Sequence, residues 1–402
     1  MLWKARSCSL VHKNQYFLSV TLRTKPASMH ICFAFTFSHY YVAQMFRPLS
    51  RNAIAHHPGF KDSLPGQSLA GEPLGFIDIG ARGGVHSIME PIAECTAVLG
   101  FDADETECAR LLGDASITSA WKRMELEAVA LADAQGERML HLMSWEYNHS
   151  LLPPNEPFLK RYAMTDKWQL AKKKKIPVTT LDSILFGKRQ AEPFWGEFIK
   201  IDTQGSEYDI LTGAKRTLQE RTVAVMCEVA FCEIYKGQKL FSDIEQLMRA
   251  RGFSFYGFTQ LHGRSCKLLG KEKYVTAERL LYSDAIFFKD PLPDATLSDR
   301  QTYALFTIAL LFNFYDFALE LASKTWLKNT PDKSSLIQFV QDLASLPPSK
   351  TLRDIEDLLA QAKATPELAN MYAGNFVDRR RRICDYDDVL NTSLAAKQPK
   401  ES

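Results

Sequence analysis

No aspartate or glutamate occurs before Asp62, although Lys4, Arg6, Lys13, Arg23, Lys25, Arg47 and Arg51 are spread through the same stretch. An acid-free basic start fits an organellar transit peptide, a solvated basic arm, or a reading frame opened too far upstream with Met45 as the true start. The third reading is preferred, and residues 1–44 are expected to add nothing to the fold. The eight cysteines form no C-x-x-C pair and repeat no spacing, which speaks against a zinc site or disulfide framework and for free thiols in a reducing, cytoplasmic setting. No metal site is expected. A long apolar run is missing too: "ICFAFTFSHYYVAQMF" (31–46) is interrupted by Ser38, His39 and Gln44 and falls short of the roughly 18 clean residues of a membrane span. Nor does one sign of charge dominate, since 49 Lys+Arg face 47 Asp+Glu for a net +2, too even for a nucleic-acid or membrane field over the whole surface.

What is present suffices for a large packed domain with an appendage, at 402 residues and 46% hydrophobic. Three prolines and four glycines in "PGFKDSLPGQSLAGEPLG" (58–75) mark a linker, so the folded domain is expected to start near Leu74. Beyond it strands and helices alternate. Strands are predicted at 76–80, 97–102, 126–133, 138–146, 198–202, 223–229, 253–258 and 281–290, with helices at 85–95, 104–112, 207–218 and 240–251. Residues 155–175 read as a polar, partly helical excursion ending in "KKKK" (172–175), a solvated face. Strands separated by helices imply right-handed crossovers, hence an α/β fold with a doubly wound, mainly parallel, Rossmann-like sheet. From Pro291 the pattern is helical (303–324, 335–346, 352–363), and 303–314 is apolar nearly all round, as a buried helix is. The predicted organisation is therefore an arm and linker (1–73), a sheet domain (74–290) and a C-terminal helical extension (291–402), whose helices are a candidate homo-oligomer contact.

Two short segments carry chemistry. In "FIDIGARGG" (76–84) a strand ends at Asp78 and breaks into Gly80, Gly83 and Gly84, a turn that lets a ligand approach the backbone at the first strand-to-helix crossing. The dinucleotide fingerprint G-x-G-x-x-G is absent, because Arg82 stands two positions after Gly80. The second strand ends at Asp102, 22 residues on, where a carboxylate accepts paired hydrogen bonds from ribose hydroxyls; the competing role, capping helix 104–112, suits Asp104 better. In "FIKIDTQGSEYDILTGAKRTL" (198–218) a strand ends in Asp202 and the turn bears Gln204, Gly205 and Glu207.

This last string resembles the FkbM-type family of S-adenosylmethionine-dependent methyltransferases, whose hallmark is iKID-x-QG-x-E-x-x-x-L-x-GA. The resemblance runs in order over 74–290, through "FIDIGARGG", "GFDAD", "ALADAQGERML", "NHSLL", "VTTLDSIL", the 198–218 block and "CEV" (227–229). It departs where the family's first turn is commonly G-A-N, here Arg82; where its second-strand acid is Glu, here Asp102; and where "SSL" is here His149-Ser150-Leu151. It implies S-adenosyl-L-methionine as cofactor, with Asp78, Gly80, Ala81 and Gly84 lining the methionine part, Asp102 the ribose and Asp133 the adenine amino group. Asp133 equally suits a turn before Gly136.

A hydroxyl acceptor, which the resemblance implies on a sugar or other small molecule, needs a general base. The candidates are Asp202, then Glu228, His149 and Glu207, with Asp202 preferred. Two other classes stay open: a nicotinamide-dependent oxidoreductase on the same sheet, disfavoured by the missing fingerprint, and a non-catalytic protein whose helical tail with "RRRR" (379–382) docks a partner.

Overall fold

A computed structural model describes residues 16–24, 27–35, 49–270, 274, 276–291, 297–327 and 333–380. Met45 and the apolar stretch 31–46 beyond Phe35 lie outside these residues, as does the end of the arginine run. The chain divides into Met1–Pro48 and Leu49–Ser402. In the first unit β1 (Tyr16–Thr24) and β2 (Ala27–Phe35) pair antiparallel.

The second unit contains β3 (Leu74–Ile79), β4 (Thr96–Phe101), β5 (Arg123–Glu127), β6 (Ala130–Leu131), β7 (Gly136–Met143), β8 (Leu170–Thr179), β9 (Trp195–Ile201), β10 (Ala224–Ala230), β11 (Ser254–Phe258), β12 (His262–Arg264) and β13 (Arg279–Phe288). Its main sheet has the order β11-β13-β10-β9-β3-β4-β5, with β12 also on β13. The pairs β10–β9, β9–β3, β3–β4 and β4–β5 are parallel, and β13 is antiparallel to its neighbours. Order therefore reverses between β3 and β9, the place where such sheets open a crevice at their carboxyl ends. A smaller sheet, β6-β8-β7, stands apart.

Every residue of β3, β4 and β9 is buried, which explains their nearly unbroken apolar sequences: both faces are covered. One face (Ile77, Leu99, Ile199, Val225, Phe287) packs with Ile210, Leu211, Leu218, Ile244 and Met248 of the helices Glu207–Thr212, Lys215–Glu220 and Phe241–Ala250. On the other, Phe76 lies 5.1 Å from Phe198, and Phe312 meets Phe198 edge-on at 5.8 Å. Phe312 follows the helix Asp299–Leu311, in which Ala304 to Leu311 are all buried. This helix touches β9 and the helix Leu64–Gly71, so the tail's apolar run is covered by the sheet domain itself.

An ion pair fixes that packing. Arg300 binds Glu197 near the start of β9 through Nε and Nη2 (2.5 and 2.7 Å) and reaches the carbonyls of Glu72 (2.7 Å) and Pro73 (2.9 Å). Gly75 N completes the set by donating to Glu197 at 3.0 Å.

Several predicted elements differ in form. The expected linker 58–75 is helical at Pro58–Lys61 and Leu64–Gly71, with Phe60 and Leu69 buried; Pro58 and Pro65 each sit in a first turn, where no amide is needed. The expected strand 126–133 ends at Glu127 and resumes as β6 in the smaller sheet. The helix expected at 85–95 is a 3-10 helix, Ser87–Cys95, which contains Pro91 and breaks at Ile92. Helix 207–218 is two helices parted at Gly213, where a Cβ would run into the carbonyl oxygen of Ala132. Helix 303–324 breaks at Asn313, which has φ +61°. The lysine run is indeed exposed, but on β8, paired with β7.

Candidate active site

The turn after β3 is built on backbone proximity. Gly80 has φ +85°, and a Cβ there would penetrate the carbonyl oxygen of Asp202, so only glycine lets β3 and β9 end side by side. Gly80 N and Ala81 N both donate to Phe101 O (2.9 and 3.0 Å), and Gly83 N donates to Glu107 (2.9 Å). Gly84, at φ +122°, faces open space. Asp78 serves the turn from beneath: Oδ2 accepts from His86 N at 2.9 Å, and Oδ1 faces Lys200 Nζ at 3.3 Å.

Arg82 lies across this turn. Its Nη2 bonds Asp102 Oδ1 (3.3 Å) and Asp104 Oδ2 (2.9 Å), and its Nη1 bonds Glu146 (3.3 Å). Asp102 Oδ1 also accepts from Asp104 N at 2.8 Å. Burial pushes the Asp102 carboxyl up, against the pull of Arg82. Asp104 caps the helix Glu105–Leu112, as the sequence suggests.

The sheet then sets a row of acids beside the turn. Strand register aligns Phe76, Phe198, Ala224 and Phe288; two residues on come Asp78, Lys200, Met226 and Ile286; two further, Gly80, Asp202, Glu228 and Asp284. One face thus passes from aromatic core to carboxylates within two turns of the pleat. Burial pulls the Lys200 pKa down, but the charges of Asp78, Asp202 and Asp284 outweigh it and the net shift is upward. Burial, reinforced by Asp202, Glu207 and Asp284, holds the Glu228 carboxyl well above its ordinary range. Asp284, which takes a hydrogen bond from Thr259 Oγ1 at 3.0 Å, is pushed up to about 6 by burial and by Asp202.

Gln204 orders this row. Its Nε2 donates to Asp202 Oδ1 (2.9 Å) and Glu228 Oε2 (3.1 Å), while its Oε1 lies 3.0 Å from the Tyr235 hydroxyl. Its own carbonyl accepts from Ser150 Oγ at 2.6 Å, and its backbone is held at φ +60°, an uncommon state for a non-glycine residue.

The remaining predicted residues are placed differently. Glu207 turns inward, its Oε1 accepting from Thr203 N (2.9 Å) and Gly205 N (3.0 Å), so it closes the turn. His149 accepts from Met143 N through Nδ1 (3.1 Å), which leaves the neutral ring with its proton on Nε2, as a donor. Asp133 lies before β7 and pairs with Arg138 (2.9 Å), serving the turn of the smaller sheet. Reading residues singly misses Asp284, although a lone acid in "LYSDAIFF" is a signal for a special environment, and misses the bridging by Gln204 and Arg82. Among the described residues no group of three or more His, Cys, Asp or Glu is arranged to hold a metal ion, and no helix is long and apolar enough to cross a membrane.

The Asp284 environment has a pH signature. Between the ordinary carboxylate range and about pH 6 the folded protein keeps a proton that the unfolded chain has shed, so the group's contribution is complete at low pH and is lost as pH rises through the window. Asp284→Asn should flatten the stability curve between about pH 4 and 6. Urea unfolding at stepped pH measures it, and equal slopes in wild type and variant would refute the assignment.

The model of the family "Methyltransferase FkbM domain" matches residues 78–255. Among solved structures, the methyltransferase FkbM from Methylobacillus flagellatus KT is 13% identical at a TM-score of 0.32, the match covering 63% of this chain and 51%, about half, of that one. The magnesium protoporphyrin IX methyltransferase from Synechocystis PCC 6803, with bound SAM, is 13% identical at 0.27, covering 59% of this chain and 80% of that one. No curated protein is matched. With its mostly parallel sheet and flanking helices, the chain carries, over residues 78–255, a methyltransferase domain of the FkbM family.

Proposed function

We propose that the protein transfers the methyl group of S-adenosylmethionine to a hydroxyl oxygen of a sugar or another small molecule. The observation that carries this reading is the backbone contact between Gly80 and Asp202 at the strand-order reversal, which brings a ligand-accepting turn and a carboxylate row to one place. The residues suit a sulfonium nucleoside: Gly84 has open space beside it, and the Asp102 side chain, 10% exposed, stands at the end of β4 within reach of solvent.

When bound, the cofactor supplies an electrophilic methyl group. Asp102 would accept the ribose hydroxyls, and Gly80, Ala81 and Gly84 would line the methionine part with backbone. Asp78, committed to Lys200 and His86, would shape the turn from below. Asp202 is assigned as general base, its Oδ1 steadied by Gln204 so that an acceptor hydroxyl delivers its proton to the carboxylate. Glu228, whose raised pKa favours the protonated carboxyl, would donate a hydrogen bond to the acceptor. The positive charge of Lys200 beneath the row offsets the carboxylates.

The cofactor assignment is checked by titration calorimetry. Asp102→Ala should weaken S-adenosylhomocysteine binding by about 1.5–3 kcal/mol through loss of charge-assisted bonds. Absence of heat with this ligand and with S-adenosylmethionine, from wild-type protein shown to be folded, would sink the proposal. The acceptor is then sought by incubating protein and labelled cofactor with fractionated cell extract.

A further inference from the structure

Arg82 is the residue by which the cofactor turn departs from the sequences it resembles, and its contacts give it a use. The guanidinium is 14% exposed and spans three carboxylates from two parts of the chain: Asp102 and Asp104 after β4, and Glu146 after β7. Glu146 opens the short 3-10 turn Glu146–Asn148, which runs into His149 and Ser150. That segment leads to the acid row, because Ser150 Oγ holds the Gln204 carbonyl (2.6 Å) and the Asn148 carbonyl lies 3.1 Å from the Tyr235 hydroxyl.

The contacts to Asp102 are concentrated on one oxygen. Oδ1 receives both Arg82 Nη2 and Asp104 N, and the Arg82 bond is the longer, at 3.3 Å against 2.8 Å. A ribose that engages both carboxylate oxygens takes Oδ1 from its weaker donor. Arg82 does not thereby become an unpaired buried charge, since Asp104 and Glu146 remain in contact with it.

We infer that Arg82 is a positioning residue which relays cofactor occupancy to the acceptor side: the ribose displaces it from Asp102, and the released guanidinium settles on Glu146, drawing residues 146–150 onto the site. The inference rests on the cofactor reading above. It deepens that reading by making cofactor binding the event that orders the acceptor-side segment.

The test uses full-length protein, S-adenosylhomocysteine as probe, and two readouts: calorimetric affinity, and hydrogen–deuterium exchange of peptides covering 143–150, whose amides Asn148 N and His149 N bond back to Trp145 and Glu146. Wild type should exchange more slowly in this segment when the ligand is bound. Arg82→Met should bind the ligand with no more than about a threefold loss, since the Arg82–Asp102 contact is given up in the complex and so adds nothing to its stability, and should lose the exchange response. A larger loss of affinity would mean that Arg82 touches the ligand, and an exchange response retained in Arg82→Met would mean that the relay runs elsewhere; either overturns the inference. Glu146→Gln, which leaves the Arg82–Asp102 contact in place, provides the same test should Arg82→Met fold poorly: affinity near wild type with the response abolished supports the relay, and a retained response refutes it. Wild-type protein that binds the ligand without any change over 143–150 also overturns it. Wild-type protein that binds no ligand overturns the cofactor reading itself, and the relay with it.

Discussion

Expressed without residues 291–402, the chain should aggregate, although every residue assigned to the cofactor and to proton transfer is retained. The sheet face around Phe76, Phe198 and Phe288 is closed by the helix Asp299–Leu311 and by Phe312; without them that aromatic surface is left to water at about 25 cal/mol per Å². The loss is compounded at the amino ends of the strands. Glu197, whose carboxyl burial already pushes upward, would lose the bidentate Arg300 and keep Gly75 N. Removing one partner of a buried pair costs about 3–5 kcal/mol, so Arg300→Met alone should lower the urea midpoint markedly in an otherwise intact chain. Size-exclusion chromatography of the truncated protein decides the matter. A soluble monomer that binds S-adenosylhomocysteine would show that the tail is a separate module and would revive the partner-docking reading.

Replacing Asp202 by asparagine should lower methyl transfer by about 10²–10⁴-fold while leaving cofactor affinity nearly unchanged. The substitution keeps the volume and the backbone contact with Gly80, and its side-chain oxygen can still accept from Gln204 Nε2. What it removes is the capacity to take a proton. Transfer of label from the cofactor into the acceptor fraction is the measurement, with calorimetry as the control. Activity within a few-fold of wild type would exclude Asp202 as base and return attention to Glu228; lost cofactor binding would assign Asp202 to the ligand instead.

Much of the architecture is legible in the sequence because burial on both faces writes strands as apolar runs: 76–80, 97–102, 198–202 and 223–229 lie close to β3, β4, β9 and β10. The segment 126–133 misleads for a physical reason. Its apolar spacing is continuous through Val129, but the main sheet ends at Glu127 and the remainder joins another sheet. The lysines of β8 defeat propensity in the opposite sense, since pairing with β7 makes a strand of residues that rarely favour one. Within the site, the glycines and the strand-terminal acids are visible one by one, whereas their pairings are not. Arg82 meets Glu146 across 64 positions, and Arg300 meets Glu197 across 103; no local pattern encodes either.

The helix Asp299–Leu311 also governs when the protein becomes itself during synthesis. Chains emerge at about 5–20 residues per second, and domains fold as their last essential contact appears. Arg300 closes on carbonyls at Ser68, Glu72 and Pro73, more than 220 positions back, so one face of the finished sheet lacks the cover of this helix until about three quarters of this sequence is made. Such distant closure is slow, and the waiting aromatic face is the surface a chaperone would hold. Translation pauses placed far enough beyond Phe314 for the helix to have left the ribosome should therefore be tolerated, and those placed between Asp290 and Phe314 should lower the yield of soluble protein.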